Sequence, residues 1–173
     1  MRYFLLSFAF LISQFVFANS KTKVKSTPEI DANTGATSEA IIPVDIIPQP
    51  LSLIKDEGQF TIYKSTTIYC DKGLEKIGDY IQLYIPIEQA KGKGKNSIRL
   101  LLDKKLGAEE YILKVGENGV EIYGGSYGGV FNGVQSMLQI LPHSVYSKSA
   151  SLPMNLPYVE IKDAPRYHFR GLL

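Results

Sequence analysis

The chain has 173 residues, which is enough for one domain with a hydrophobic core and little more. Apolar residues make up 45% of it and charged residues 21%, as in ordinary globular proteins, and a net charge of +2 excludes a strong field for nucleic acid or an acidic membrane surface. The single cysteine, Cys70, excludes an intrachain disulfide, and with both histidines far away in sequence it is interpreted as a small apolar residue on a strand.

The amino-terminal stretch has the pattern of a secretory signal peptide. Arg2 precedes an apolar run over residues 3–17, and Ala18 supplies the small residue expected at a cleavage site. Polar side chains interrupt the run, which is also shorter than the roughly 20 residues of a membrane span. We therefore predict a signal peptide over residues 1–18, export to the periplasm or the extracellular space, and no membrane attachment after cleavage.

Residues 19–40 are polar and rich in Ser, Thr and Lys. They contain too little apolar surface to offset the entropy lost on ordering, so they are predicted to form a flexible linker. A folded domain is predicted over residues 41–157. Alternating β-branched and aromatic residues at its start predict three short strands, which cover residues 52–55, 59–63 and 67–70.

An amphipathic helix comes next and ends before Pro86. Its apolar face consists of Leu74, Ile77, Ile81 and Tyr84. Three further strands are predicted, which cover residues 97–103, 109–117 and 119–125. The last two form a hairpin, because Asn118-Gly119 is a strong turn signal. A second helix over residues 127–141 and a strand over residues 158–162 follow. This order favours an α+β fold, a mostly antiparallel sheet with two helices packed on it.

A glycine-rich stretch between the hairpin and the second helix could form a phosphate-binding loop. Its glycines are Gly124, Gly125, Gly128, Gly129 and Gly133. No two of them have the two-residue spacing that begins a dinucleotide-binding loop, and Val130 stands where a P-loop needs lysine. We prefer an interpretation in which Gly124 and Gly125 turn the chain sharply. The other three then leave a thin helix stripe for close packing against the sheet or a neighbouring domain.

Adjacent acidic residues occur at Asp56-Glu57 and at Glu109-Glu110. Neither pair qualifies as a catalytic pair. Neighbours on a strand point to opposite faces, so Glu109 and Glu110 cannot converge on one bond, and solvated charges at a strand end are the preferred interpretation. The lysines of the loop at residues 91–96 are likewise interpreted as a solvated turn. No group of His, Cys and carboxylates has the spacing of metal ligands, so neither a metal nor a cofactor is predicted.

Three segments carry a family resemblance. They are IIPQPLSLIKDEGQFTI, AEEYILKVGENGVEIYGGSYGGVFNGVQSMLQILP and LPYVEIKDAPRYHFRGLL, and they extend from Ile46 to Leu173. Together they resemble the amino-terminal part of family 20 glycoside hydrolases, the β-N-acetylhexosaminidases. The third segment, with Ile-x-Asp-x-Pro-Arg followed by Arg-Gly, is the most specific. The second departs slightly, with Gln135-Ser136-Met137 where the family often has Gln-Thr-Leu.

The resemblance implies an α+β domain followed by a (β/α)8 barrel that holds the active site, and residues 158–173 are assigned to the start of that barrel. It implies removal of terminal β-linked N-acetylglucosamine or N-acetylgalactosamine from a glycan with retention. The 2-acetamido oxygen of the sugar attacks C1, while an adjacent Asp-Glu pair assists. That pair would lie beyond Leu173, so no catalytic residue is expected in this chain, and the chain alone is predicted to be inactive. Its apolar end suggests that the barrel should follow.

Arg170 is the one site residue that the resemblance transfers. It matches the family arginine on the first barrel strand that binds the outer hydroxyls of the terminal sugar, a task that suits the rigid donor fork of a guanidinium. The alternative is a structural arginine, a role for which Arg166 is the better candidate. His143 is interpreted as a loop residue and His168 as a packing residue. A noncatalytic module that binds carbohydrate or protein is the competing hypothesis for the whole chain.

Overall fold

A computed structural model describes residues 44–147 and 151–166 of the chain. The predicted signal peptide at residues 1–18 and linker at residues 19–40 lie outside these residues. The predictions for His168 and Arg170 lie outside them as well, and they stay predictions.

Seven strands and two α-helices make up the described part of the chain. The strands are β1 (Ser52–Ile62), β2 (Thr67–Cys70), β3 (Glu88–Ala90), β4 (Ser97–Leu102), β5 (Tyr111–Gly116), β6 (Gly119–Gly124) and β7 (Met154–Asp163). The α-helices are α1 (Glu75–Gln82) and α2 (Tyr127–Ile140), and a short 3-10 helix covers His143–Tyr146. The strands form one sheet in the order β1-β7-β5-β6-β4-β2-β3.

The predicted α+β fold with two helices is confirmed. Antiparallel pairing joins β1, β7, β5 and β6, which include the two longest strands of the sheet. The remaining neighbours, β6-β4, β4-β2 and β2-β3, are parallel, a feature that the sequence did not predict. The hairpin of β5 and β6 forms as expected, with Gly116 opposite Gly119 and a positive φ of 130° at Gly119.

β1 is one strand where two short strands were predicted. The predicted break at residues 56–58 is a register shift between Lys55 and Gln59 in the pairing with β7. Gly58 lies in this irregularity with a φ of 113°, a conformation that favours glycine. The turn-forming residues therefore shift the pairing register of the strand without ending it.

The predicted domain boundary before residue 158 requires a correction. β7 runs over Met154–Asp163 and lies between β1 and β5, so residues 158–163 belong to the sheet of the α+β domain and not to a following barrel. The assignment followed the family resemblance, which takes the segment from residue 158 onward as the start of the barrel. Pro157 is tolerated because it faces Gln59 beside the register shift, and the pairing of β7 with β5 extends only from Val159 to Asp163.

Both helices pack on one face of the sheet. The ring centroids of Tyr80 in α1 and Phe131 in α2 are 5.2 Å apart, so the helices are neighbours. In β5, Leu113 and Val115 are buried, whereas Lys114 between them is exposed, which shows that the other face of the sheet is open. The helices close the hydrophobic core, and the core supplies most of the stability of such a fold.

Candidate functional site

The amino-terminal end of α2 is already occupied by the chain itself. Ser126 caps the helix, its Oγ accepting a hydrogen bond from the backbone N–H of Gly128 at 3.1 Å and donating one to the carbonyl oxygen of Ala108. The N–H of Gly125 donates to the carbonyl oxygen of Glu110 at 3.2 Å. The loop between β4 and β5 therefore covers the position that a phosphate would need, which supports the rejection of a nucleotide loop.

The glycines around α2 serve close packing. A β-carbon at Gly129 would collide with the carbonyl oxygen of Glu110, and one at Gly133 would lie 2.5 Å from Cγ2 of Ile122. The expected tight contact with the sheet is thus confirmed for Gly133, whereas Gly129 packs closely against the turn before β5. A β-carbon at Gly128 would meet only Ser126 Oγ, at 3.6 Å, so packing does not require glycine there.

Gly124 and Gly125 were expected to provide a sharp turn, and the structure gives a different reason for them. Neither has a φ in the left-handed region. A β-carbon at Gly124 would collide with the backbone nitrogen of Val130, and one at Gly125 with the carbonyl oxygen of Gly107. Backbone approach, and not conformational freedom, accounts for both glycines.

A groove lies beside α2 where the described chain ends. We call it the exit groove; its volume is about 520 Å³. One wall is the segment 46–49, the floor is one face of α2, and the other wall is formed by residues 163–166. The helix contributes side chains at spacings of three, four and seven residues, which places them in one row. They are Asn132, Gln135, Ser136 and Gln139.

Hydrogen bonds from side chains hold both walls of the exit groove. Gln139 Oε1 accepts from the backbone N–H of Ile47 at 2.9 Å, while the side chain of Ile47 is 82% exposed. Asp163 Oδ1 accepts from the backbone N–H of Leu51 at 3.2 Å. Asp163 is the aspartate of the Ile-x-Asp-x-Pro-Arg motif, and this bond ties the segment before β1 to the end of β7.

Polar groups in the exit groove differ in whether they have a hydrogen-bond partner. The hydroxyls of Tyr111 and Ser136 are 2.6 Å apart and form a hydrogen bond. Burial raises the pKa of Tyr111, and the bond to Ser136 opposes that shift. Gln135 differs, because its Nε2 is buried and has no hydrogen-bond partner among the described residues. Such a group is costly to leave unpaired.

The open face of the sheet carries a row of charges that sequence reasoning missed. Strand register places Glu160, Lys114, Glu121 and Arg99 side by side across four strands. Arg99 Nη1 lies 3.2 Å from Glu121 Oε1, and Glu160 pairs with Lys114 at 3.2 Å and Lys162 at 2.7 Å. Only the register reveals this row, since each residue comes from a different strand.

These charges border a shallow cavity of about 740 Å³. Cationic and anionic side chains alternate along the row, so they neutralise one another and select no ligand charge. Lys93 from the loop at residues 91–96 also lines the cavity, with its Nζ 5.2 Å from the ring centroid of Tyr69. This arrangement is typical of a solvated sheet face.

The acidic pairs are not placed for catalysis. Asp56 and Glu57 lie in the irregular part of β1, where Asp56 Oδ1 accepts from the backbone N–H of Glu57 at 2.9 Å. Glu110 Oε2 accepts from the backbone N–H of Gly107 at 2.8 Å, which orders the turn before β5. Glu109 precedes it in the same turn and lines the exit groove.

The remaining candidate residues have structural surroundings. Cys70 ends β2 and is half-buried, and burial followed by the nearby Glu75 carboxylate raises its pKa to about 11. A thiol with that pKa is a poor nucleophile at neutral pH, in agreement with the sequence interpretation. His143 is exposed at the start of the 3-10 helix. Arg166, the last described residue, is exposed and lines the exit groove.

Residues 44–147 and 151–166 contain neither a metal-binding cluster nor a membrane-crossing helix. No group of three or more His, Cys, Asp or Glu side chains in these ranges is arranged to hold a metal ion. In the same ranges, no helix is both long and apolar enough to cross a membrane.

Comparison with known proteins gives the family. The profile of glycosyl hydrolase family 20, domain 2, matches residues 44–164. The matched range includes every residue that lines the exit groove except Pro165 and Arg166. The chain belongs to this family. A β-hexosaminidase of Porphyromonas gingivalis is 32% identical over 168 residues, which are 90% of this chain and 20% of that protein.

Solved structures agree with the profile. The family 20 β-N-acetylhexosaminidase of Streptomyces coelicolor A3(2) superposes with a TM-score of 0.65 and 31% identity, covering 74% of this chain and 28% of that one. A Streptomyces plicatus β-hexosaminidase variant solved with its product N-acetylglucosamine has a TM-score of 0.65 and 33% identity, and the match covers 74% of this chain and 28% of that one. This chain thus spans between a fifth and a third of the length of these relatives.

Proposed function

We propose that this chain is the amino-terminal portion of an exported β-N-acetylhexosaminidase, which removes terminal β-linked N-acetylglucosamine or N-acetylgalactosamine from glycans. The observation that carries the proposal is the match of residues 44–164 to a domain of glycosyl hydrolase family 20. The names of the relatives support it, since the Porphyromonas gingivalis protein is a β-hexosaminidase and the Streptomyces plicatus variant was solved with N-acetylglucosamine.

The proposed chemistry needs groups that the described domain does not supply. In the substrate-assisted mechanism, the 2-acetamido oxygen forms a bond to C1 as the glycosidic C1–O bond breaks, and a glutamic acid gives its proton to the leaving oxygen. An aspartate beside that glutamate orients the acetamido group. Asp56-Glu57 lies in the irregular part of β1, and Glu109-Glu110 lies in the turn before β5. The catalytic pair is therefore proposed to lie in a barrel after Leu173.

The α+β domain then acts as the support from which the barrel starts. Asp163 and Gln139 hold the walls of the exit groove, and Arg170 follows Arg166 by only four residues. We assign to Arg170 the binding of the outer hydroxyls of the terminal sugar, as the family resemblance implies. No cofactor or metal enters the proposed reaction.

Hydrolysis of a chromogenic N-acetylglucosaminide tests the proposal. The 173-residue chain alone should show no turnover above a control without enzyme, whereas a version extended by the downstream coding sequence should be active. Heat-sensitive turnover by the purified 173-residue chain would contradict the assignment of catalysis to a downstream barrel. An extended protein that neither binds nor cleaves N-acetylhexosaminides would favour the noncatalytic binding module.

Export is tested separately. Amino-terminal sequencing of the protein recovered from outside the cytoplasm should show a chain that begins at Asn19, because cleavage is expected after Ala18. A secreted chain that still begins at Met1 would contradict the signal peptide.

A further inference from the structure

The charged row on the open face of the sheet is the centre of a longer pattern. Strand register continues the row at both ends, to Ile54 of β1 beside Glu160 and to Tyr69 of β2 beside Arg99. In sheet order the positions are Ile54, Glu160, Lys114, Glu121, Arg99 and Tyr69. The pattern is thus apolar, negative, positive, negative, positive and aromatic, and its midpoint lies between β5 and β6.

The side chains of this pattern can be reached from outside the domain. The four charged side chains are between 21% exposed, at Arg99, and 46% exposed, at Lys114. Ile54 is apolar and yet 59% exposed, and Tyr69 is half-buried. Both helices lie on the other face of the sheet, so they leave these side chains available to a partner.

A second copy of the chain carries the charges that complement this row. A ligand of one charge gains nothing from alternating signs, but a surface on which the signs alternate in the opposite order does. A two-fold axis parallel to the strands, between β5 and β6, turns two open faces toward each other and reverses the row. Arg99 then lies opposite Glu160 of the second copy, and Lys114 lies opposite Glu121 of the second copy.

The ends of the pattern match in the same arrangement. Ile54 lies opposite Tyr69 of the second copy, so an aliphatic side chain meets an aromatic ring at both ends of the row. Strands about 4.8 Å apart, with paired segments about 20 Å long, give these strands a shared face of roughly 500 Å² on each copy. A contact of that size fits a weak, reversible complex. Stacked sheets pack with their strands rotated by about 30°, which accommodates the twist of the sheet.

We propose that the open face of the sheet is an interface between two copies of this chain, related by a two-fold axis between β5 and β6. The dimer is held mainly by the four cross-copy ion pairs of the row, so it weakens as salt screens them. The proposal rests on strand register and charge and not on hexosaminidase activity, so either one can fail while the other stands.

Sedimentation of two charge-reversed variants of the 173-residue chain, alone and mixed, tests the interface. Arg99→Glu places two carboxylates opposite each other, and Glu160→Arg places two guanidinium groups opposite each other. Each variant alone should therefore dimerise at least about tenfold more weakly than the unaltered chain at low salt. An equimolar mixture should restore dimerisation, because positions 99 and 160 then face each other with opposite charges. Mixing alters neither chain, so an effect on folding cannot produce this recovery.

Lys76→Glu is the matched control. Lys76 is exposed on α1, on the other face of the sheet, and its reversal changes the net charge as Arg99→Glu does, so dimerisation should be unchanged. The mixture of Lys114→Glu and Glu121→Lys provides an independent second pair if a variant of the first pair does not fold. A chain that stays monomeric up to about 1 mM, or mixtures that associate no more than their separate variants, would overturn the proposal. The open face would then be left to solvent or to another partner.

Discussion

The ring of Tyr158 lies directly over Gly58: a β-carbon at position 58 would stand 2.5 Å from Cε2 of the ring. The contact joins the irregular part of β1 to the middle of β7, where Gln59 faces Pro157. Position 58 therefore needs glycine for two reasons: its φ is 113°, and the ring of Tyr158 leaves no room for a β-carbon.

Gly58→Ala should lower the free energy of unfolding by about 3 kcal/mol, because it adds both backbone strain and a collision. Gly73→Ala is the matched control, with a φ of 93° and open space around the position. It should cost only about 1 kcal/mol, the strain alone. Urea denaturation of the two variants measures the difference, and equal losses would show that the Tyr158 contact is unimportant.

Adjacent glycines of α2 should respond in opposite directions to alanine. Gly129→Ala should destabilise the domain by about 2 kcal/mol, because the new methyl group would meet the carbonyl oxygen of Glu110. Gly128→Ala should leave stability unchanged or raise it by up to about 1 kcal/mol, since alanine favours helix and the space is open. Thermal unfolding followed by circular dichroism distinguishes them, and a loss of stability in both variants would contradict the packing role assigned to Gly129.

The acid sensitivity of the domain should depend in part on Glu160. Hydrogen bonds from Lys162 and then Lys114 lower the pKa of this carboxyl. Its contribution is therefore present above the ordinary glutamate pKa of 4.5 and is lost as the pH falls through the lower folded-state value. Glu160→Gln should cost up to about 1 kcal/mol at pH 7 and progressively less below pH 4.5.

Urea denaturation at pH 7 and at pH 3 measures this effect. Glu57→Gln, in the exposed part of β1, serves as the control for the loss of one carboxyl group. A Glu160→Gln variant that is equally destabilised at both pH values would show that charge plays no part in the role of Glu160.

Cys70 should react slowly with alkylating reagents in the folded protein. Burial, followed by the charge of Glu75, raises its pKa to about 11 against an ordinary 9.0, so the thiolate is scarce at pH 8. Reaction with iodoacetamide at pH 8 should be at least about tenfold slower than for free cysteine, and it should still be accelerating at pH 10. In urea the rate should return to that of free cysteine. Equal rates in the folded and unfolded chains would contradict the raised pKa.

In the extended protein, Arg170→Ala should lower kcat/KM by an amount equivalent to about 2–4 kcal/mol, because charge-assisted hydrogen bonds to the sugar are lost. Arg170→Lys should recover only part of the loss, since one ammonium group cannot reproduce the donor fork. Circular dichroism checks that folding is unchanged. Near-normal kcat/KM in the alanine variant would mean that Arg170 is structural and that its assignment from the family is wrong here.

Local patterns in the sequence predicted local structure well. The face with Leu74, Ile77 and Ile81 is the buried face of α1, and Asn118-Gly119 marks the hairpin. Both signals come from residues close together in the sequence, and the conformation of a helix or a tight turn depends mainly on such neighbours. The bounds of β2 and the start of α2 were predicted correctly for the same reason.

Contacts between residues far apart in the sequence could not be predicted from such local patterns. β3 has only three residues and forms because β2 offers it a parallel edge. The charged row from Glu160 to Arg99 depends on register across four strands. The unpaired amide of Gln135 carries no local signal either, since only the tertiary structure shows that Gln139 bonds to Ile47 while Gln135 Nε2 has no partner among the described residues.

The place of β7 in the sheet has a consequence for synthesis on the ribosome. β1 is the first strand to emerge, yet its partner in the sheet is β7, about a hundred residues later. A nascent chain that has reached only the 3-10 helix at His143–Tyr146 can form the β5-β6 hairpin but cannot join β1 to it. Pairings this distant in sequence form slowly. β1 therefore has no neighbouring strand to pair with until residues 154–163 have been translated.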